Sequence, residues 1–273
     1  MSRLAVILPM YNEADNVEPL VERLAAVRAA SGLDLFVLAV DDGSDDATPM
    51  RLRAARRRYP FVRVVRHTSN RGMAAALRTG IATALSERGQ GFDLLAFMDA
   101  DLTHPPEDLP ALLEPIQLND ADLVLGSRYV PGGGMHGVPW PRQLISRIGN
   151  WAGRNVLGVP VADLTSGFRV GRVEVFRSIT LEESGFGIQL EGTIKAYRAG
   201  FRTAEVPITL GVRKRGYSKM AYTRDFWLGY ARLLARLAMT PAQPRAALIS
   251  STIRLEAEPT LTPSPYPPRP SSS

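Results

Sequence analysis

The chain has 273 residues, 45% of them hydrophobic, no cysteine, and 33 Lys and Arg against 27 Asp and Glu, for a formal net charge of +6. That length allows one sizeable core with at most a small second lobe, and the lack of cysteine excludes disulfides, thiolate catalysis and the usual structural zinc. With only three histidines, any bound metal must be held mainly by oxygen, and the positive balance favours anionic partners.

In chain order, residues 4 to 8 (LAVIL) read as a buried strand, and Pro9 to Glu13 (PMYNE) as the loop leaving it. Asp15 and Glu18 have the spacing of a capping box, and Val17, Leu20, Val21, Leu24 and Val27 follow on one helical face. A second strand is predicted over Leu35 to Val40, breaking into DDGSDD at 41 to 46, with a helix after it. Further strands are predicted over Phe61 to Val65, Leu94 to Met98 and Leu123 to Leu125, with helical stretches between them. This alternation gives an α/β fold with a mostly parallel sheet flanked by helices. Residues 130 to 141 (VPGGGMHGVPWP) look like a mobile flap.

From Tyr222 to Met239, the residues Phe226, Trp227, Tyr230, Leu233, Leu234 and Leu237 share one face of an amphipathic helix, with Arg232 and Arg236 near its border. Such a face either packs on the core or lies on a membrane surface. Residues 241 to 273, rich in Pro, Ser and Thr, are expected to be disordered. The expected organisation is thus a domain over 1 to 220, an amphipathic segment over 221 to 240 and a tail over 241 to 273. No apolar run reaches membrane-spanning length, and Leu4 to Leu8 is too short for a signal-peptide core, so the expected location is the cytoplasm.

In open α/β sheets ligands bind beyond the carboxyl ends of the strands, and three successive strand ends here carry PMYNE, DDGS and DAD. Asp99-Ala100-Asp101 sets two like charges one residue apart. In extended geometry both carboxylates face the same way and a divalent cation fits between them, while Ala100 leaves space for a ligand near the backbone. An ion held by so few carboxylates, Mg²⁺ or Mn²⁺, completes its shell with water and substrate phosphates, which suggests a nucleotide diphosphate. Asp42 can accept from a base edge, and Tyr11 offers an aromatic face. His104, ahead of Pro105 and Pro106, reads as a turn residue. Basic residues are not interleaved with aromatics along one face, which speaks against nucleic acid as a partner.

PMYNE (9 to 13), DDGSDD (41 to 46), MDADLTHPPEDL (98 to 109), LGSRYVPGGG (125 to 134), Arg142 and Ser146, DLTSGFR (163 to 169), and EVPI with R-x-x-G-x-S-K (205 to 219) occur in the order seen in family 2 glycosyltransferases. More narrowly, over roughly residues 3 to 222, the set resembles the polyprenyl- or dolichyl-phosphate mannose synthases. The resemblance implies a GT-A fold and transfer of mannose, with inversion, from GDP-mannose to a polyprenyl phosphate at the cytoplasmic face of a membrane. It implies that Pro9, Tyr11, Glu13, Val40 and Asp42 contact the guanosine, and that Asp99, Ala100 and Asp101 surround the metal and diphosphate. Arg213 and Lys219 would grip the diphosphate and, with Asp101, form the catalytic set. Arg128, Arg142 and Ser146 would meet the acceptor phosphate.

A phosphate monoester has a second pKa of about 6, so near neutral pH the nucleophile is already mostly ionised and needs no general base. That agrees with the lack of an obvious catalytic histidine and makes Glu191 a structural or positioning residue. Two residues after the D-x-D, relatives usually carry Gln; here Thr103 is the third expected metal ligand, shorter and weaker. Met73 and Ala74 stand where Lys and Gly are common, and Tyr217 where Glu is usual, positions that could retune donor choice. Two alternatives stand beside the main reading: the same reaction with UDP-glucose or another nucleotide sugar, and a non-catalytic nucleotide-binding scaffold subunit. Membrane contact is expected through the 222 to 239 helix or through a membrane-tethering subunit.

Overall fold

The computed structural model describes residues 2–86, 91–138, 140–185, 187–211 and 224–239, excepting the side chains of 141, 142, 145 and 224–227. Its strands are β1 (Arg3–Met10), β2 (Asp34–Asp41), β3 (Val62–Arg66), β4 (Leu94–Phe97), β5 (Leu123–Ser127), β6 (Gly134–Met135), β7 (Arg169–Arg172), β8 (Thr203–Pro207) and β9 (Thr209–Leu210). Its helices are α1 (Ala14–Ser31), α2 (Thr48–Arg58), α3 (Met73–Leu85), α4 (Leu109–Gln117), α5 (Trp140–Leu157), α6 (Val173–Ser178), α7 (Ile188–Arg198) and α8 (Arg224–Met239).

Strand β1 shows why the chain folds in layers. Leu4, Val6, Leu8 and Met10 pack on one side with Val17, Leu20, Val21 and Leu24 of α1 and with the leucines of α4. Ala5 and Ile7 pack on the other with Leu77 and Ile81 of α3. Successive strand residues point to opposite faces, so a strand apolar throughout must be covered by helices on both. The main sheet has the order β3-β2-β1-β4-β7-β5-β8. Neighbours pair in parallel except around β7, which runs antiparallel to both β4 and β5. The chain builds outward from β1 through β2 to β3, then returns to place β4 on the far side of β1. That reversal opens a crevice at the carboxyl ends of β1 and β4.

Three local expectations differ. Helix α1 starts from Glu13 with no side-chain cap, and Asp15 lies inside the first turn; the chain turns into the helix two residues earlier because the Glu13 amide is already bonded to Thr48 Oγ1 at 2.8 Å. The 130 to 141 stretch is tied down over part of its length rather than being a free flap. Gly134 and His136 donate to the carbonyls of Ile208 and Leu210, both at 3.0 Å, and β6 pairs with β9. Trp140 already begins α5.

Helix α8 lays Leu233 and Leu237 into the core beside α7, with Tyr230 and Leu234 packed at its edge. Each buried leucine contributes about 1.5–3 kcal/mol, enough to hold a short terminal helix against the body. Phe226 and Trp227 are named in the same expected face, and their side chains lie outside the described residues. The 241 to 273 tail lies outside them as well. The Tyr230 hydroxyl donates to the Gly149 carbonyl of α5 at 2.8 Å, and burial pushes its phenol up to about 12.

An acid whose folded pKa is raised keeps its full contribution below the ordinary value of 10.0 and loses it as pH climbs toward 12. Stability measured by urea unfolding is therefore expected to fall across that window by roughly 2–3 kcal/mol. In Tyr230→Phe this component of the slope should vanish. An unchanged slope would show that α8 does not shield this phenol in solution.

Candidate functional site

The loops after β1, β2 and β3 are bonded into one rim. Asn12, in the left-handed region at φ 54, donates from Nδ2 to Asp45 Oδ1 at 2.7 Å and accepts at Oδ1 from the Asp45 amide at 3.1 Å. Its own amide donates to Ser44 Oγ at 3.0 Å. Asp46 accepts from the Thr48 and Ala14 amides at 2.8 and 3.3 Å. Burial works against that carboxylate, but the Thr48 and Ala14 bonds outweigh it and hold its pKa below the usual value. Gly43, at φ +70, has no room for a side chain: a Cβ there would stand 2.3 Å from the Ser69 carbonyl carbon.

The residues expected around a base lie on this rim. Pro9 pairs with Val40 in the β1–β2 register. Val40 is fully buried within β2, paired with Pro9 on one side and Val65 on the other. Tyr11 is half-buried, and Glu13 is buried with its carboxylate accepting from Asn16 Nδ2 at 2.6 Å. Asp42 is buried and already engaged. It faces His67 Nδ1 at 2.6 Å and accepts from the Arg71 and Gly72 amides at 2.9 and 2.8 Å. His67 in turn reaches Thr79 Oγ1 at 2.9 Å. Asp42 thus clamps the loop after β3 onto the rim, and His67, which the sequence does not single out, is its main side-chain partner.

The D-x-D segment differs from the extended geometry expected of it. It lies in a turn after β4, with Leu102 in the left-handed region at φ 64. The Asp99 side chain is 42% exposed while Asp101 is buried, and Ala100 packs into the core instead of leaving a gap for a ligand. Asp101 Oδ1 accepts from both the amide and the hydroxyl of Thr103, at 3.0 and 2.6 Å. Thr103 therefore orients Asp101. The Asp99 amide donates to His104 Nδ1 at 3.1 Å, and the His104 ring stacks on Phe168 with centroids 5.3 Å apart. His104 is a buried turn support, in line with its sequence reading.

Gly167 closes the other side of this turn. A Cβ there would stand 3.2 and 3.4 Å from the two carboxylate oxygens of Asp99, so glycine keeps the space beside Asp99 open. Among the described residues no group of three or more His, Cys, Asp or Glu could hold a metal. Two carboxylates on one turn fit a hard cation that draws the rest of its shell from water and phosphate oxygens.

A second polar cluster follows β5. The Arg128 guanidinium grips the fully buried Asp163 at both oxygens, Nε to Oδ2 and Nη2 to Oδ1 each at 2.6 Å, and Nη2 also donates to Thr165 Oγ1 at 3.0 Å. Asp163 is fixed from behind, because its amide and that of Ala162 donate to Glu205 at 3.0 and 2.7 Å. Tyr129 donates to Ser146 Oγ of α5 at 2.7 Å, and burial raises its phenol pKa. The guanidinium carbons of Arg128 and Arg147 lie 5.2 and 5.8 Å from the Tyr129 ring centre. Arg142 is on α5, with its side chain outside the described residues.

Arg169 joins the two clusters. It pairs with both Phe97 of β4 and Leu125 of β5 across the sheet, which sets its own strand between the D-x-D turn and the Arg128 loop. Its side chain is buried, donating to the carbonyls of Ser166 and Gln189 and to Thr193 Oγ1. Burial pushes the guanidinium down to about 10 while Asp163 and Asp99 pull the other way, so it stays charged at neutral pH. Glu191, fully buried, accepts from the Glu182 and Glu183 amides and pairs with Lys195 and with Arg236 of α8. These contacts give it a structural role.

Arg213 and Lys219 lie outside the described residues, as does Tyr217. Sequence reading missed His67, Tyr129, Asp163, Gly167, Arg169 and Glu205 as individual contributors. For all but His67 the available signal was membership in the LGSRY, DLTSGFR and EVPI motifs.

The chain matches the model of the family described as glycosyl transferase family 2 over residues 5–180. It is 39% identical over 222 residues to an undecaprenyl-phosphate mannosyltransferase of Micrococcus luteus, covering 80% of this chain and 88% of that protein. It is 38% identical over 223 residues to a polyprenol monophosphomannose synthase of Mycolicibacterium smegmatis, covering 80% and 81%. A dolichol-phosphate mannosyltransferase of Pyrococcus furiosus is 38% identical over 220 residues, covering 80% of this chain and 59% of its own. Among solved structures, glucosyl-3-phosphoglycerate synthase from Mycobacterium tuberculosis with Mn²⁺ and UDP-glucose superimposes with a TM-score of 0.62 at 22% identity, covering 88% of this chain and 81% of that one. At that identity the likeness establishes the fold, which is the one expected.

Proposed function

This chain belongs to glycosyl transferase family 2, and from that premise we propose that it transfers mannose from GDP-mannose to a polyprenyl phosphate, with inversion, at the cytoplasmic face of a membrane. The observation that carries the proposal is the strand arrangement around Arg169, which sets the D-x-D turn beside the Arg128 cluster. In this reading one edge brings together a carboxylate pair for a nucleotide diphosphate and the Arg128 loop for a second anion. The identity of 38 to 39% with three enzymes named for lipid-phosphate mannosyl transfer supports the same pairing.

In this reading the base rests on the rim made by Pro9, Tyr11, Glu13, Val40 and Asp42. Asp99 and Asp101 would hold Mg²⁺ or Mn²⁺, which when bound supplies positive charge for the diphosphate leaving group. Thr103 keeps Asp101 in place. Arg128, Arg142 and Ser146 bring in the acceptor phosphate, already ionised, so that its oxygen forms a bond to the anomeric carbon as the bond from that carbon to the diphosphate oxygen breaks. The bonding pair leaves on the diphosphate, where Arg213 and Lys219 take up charge. No side chain needs to remove a proton.

The test is transfer of radiolabelled sugar to a short polyprenyl phosphate by the purified chain with Mg²⁺ or Mn²⁺, comparing GDP-mannose with UDP-glucose. Acid-labile labelled lipid from GDP-mannose is the expected result. Product from UDP-glucose alone would retain the reaction and replace the donor. No product from either, with nucleotide still bound, would replace the enzyme with a binding subunit.

A further inference from the structure

His67 is buried at the rim, and the proposed reaction gives it no task. It is the first residue after β3, and its amide donates to the Asp41 carbonyl at 2.8 Å, which carries the β2–β3 ladder one step further. Its ring joins two other elements. Nδ1 stands 2.6 Å from Asp42 Oδ1, just past β2, and Nε2 stands 2.9 Å from Thr79 Oγ1 of α3. Asp42 also accepts from the Arg71 amide at Oδ1 and from the Gly72 amide at Oδ2. A carboxylate that two amides already address acts as an acceptor, so the ring proton sits on Nδ1 and Nε2 takes the Thr79 hydroxyl proton. A carboxylate offers about four acceptor positions. Oδ1 is filled by His67 and Arg71, and among the described residues one position is left on Oδ2.

We propose that His67 is a positioning residue for the donor nucleotide, holding Asp42 so that the remaining position on Oδ2 receives a single N–H of the base. This rests on the reading of the rim as the nucleotide site. His67 itself touches no substrate. The two amides that address Asp42 come from neighbouring residues of one loop, whereas the imidazole ties the carboxylate to α3 through Thr79. Among the described residues it is the side-chain donor to Asp42. Without Nδ1–H, a buried Oδ1 keeps one donor and has an unfilled position. The carboxylate is then free to turn about its remaining bonds, and the Oδ2 position moves with it. Guanine and uracil each carry a ring N–H, so both meet the single open position in the same way. His67 therefore sets how tightly the nucleotide is held and does not choose the base.

The test is calorimetric titration of the full chain with GDP and with UDP, each with Mn²⁺, comparing wild type with His67→Phe, His67→Asn and Thr79→Val. Phenylalanine fills the space without a donor and should weaken nucleotide binding about tenfold, by a similar factor for either nucleotide that the wild type binds. Asparagine places an N–H close to the Nδ1 position and should recover to within about threefold of wild type. Thr79→Val should lose about threefold, acting through the ring alone. Nitrogen-15 NMR of the wild type should show the His67 proton on Nδ1, the less common form of free histidine. Native affinity in His67→Phe would overturn the proposal. So would equal losses in His67→Phe and His67→Asn, which would make the ring mere filling, or a ring protonated at Nε2 alone, a result that needs no variant to fold. Transfer to a short polyprenyl phosphate separates the two ideas. If wild type binds nucleotide but transfers no sugar, while His67→Phe binds more weakly, the reaction is wrong and the positioning role stands.

Discussion

Asp101→Asn is expected to lower metal-dependent transfer by about 10²–10³-fold, roughly 3–4 kcal/mol of transition-state stabilisation. Asparagine retains an oxygen for the Thr103 amide and hydroxyl, which hold the turn at 3.0 and 2.6 Å in the native chain. The substitution therefore removes charge while leaving the local bonding in place, and stability should change by no more than about 1 kcal/mol. Two readouts separate the roles. Calorimetric titration with GDP should lose its dependence on Mn²⁺, while the melting temperature stays close to wild type. Full transfer activity in this variant would sink the assigned site.

The same turn shows where sequence reading stops. Strands β1, β2 and β4 are legible because each is buried on both faces, and burial on both faces writes an unbroken apolar run. Strand β7 is not, since Arg169-Val-Gly-Arg looks like a loop; its arginine is tolerated in the core because backbone carbonyls and Thr193 satisfy it. The two carboxylates of the D-x-D are visible in the sequence, but their inequivalence is not. Asp101 is buried on Thr103 across a turn in which Leu102 has a positive φ, and Asp99 is left 42% exposed.

The outer residues of the Arg128 cluster were reachable through motif resemblance, which supplied Arg128 and Ser146. What holds them was not reachable, because Asp163, Glu205 and Tyr129 act through partners 17 to 43 positions away, and no local period records a pairing between loops. The amphipathic segment near the C-terminus teaches a related point. An apolar helical face signals burial without naming what covers it; α8 turns Leu233 and Leu237 to the protein, while α5 leaves the tryptophans Trp140 and Trp151 exposed.

Arg128→Met is expected to cost about 3–5 kcal/mol of stability. The reason is the partner left behind: Asp163 is fully buried, and its carboxylate would lose both guanidinium bonds. Asp163→Leu should be similarly costly, because it leaves Arg128, whose side chain is 15% exposed, without its main counter-charge. The double variant Arg128→Met/Asp163→Leu should recover about 2–3 kcal/mol relative to the sum of the singles, since it removes both charges together. Urea unfolding of the four proteins closes the cycle, and a coupling near zero would show that the pair is not formed in solution. Arg128→Lys separates stability from recognition. A lysine keeps the charge but cannot grip two carboxylate oxygens in a planar fork. It should therefore regain part of the stability, while the acceptor of the proposed reaction, if Arg128 positions it, still binds with a raised KM at nearly unchanged GDP affinity. A lysine variant with native KM would mean that Arg128 serves only to hold Asp163, and that the acceptor phosphate is met by Arg142 and Ser146 without it.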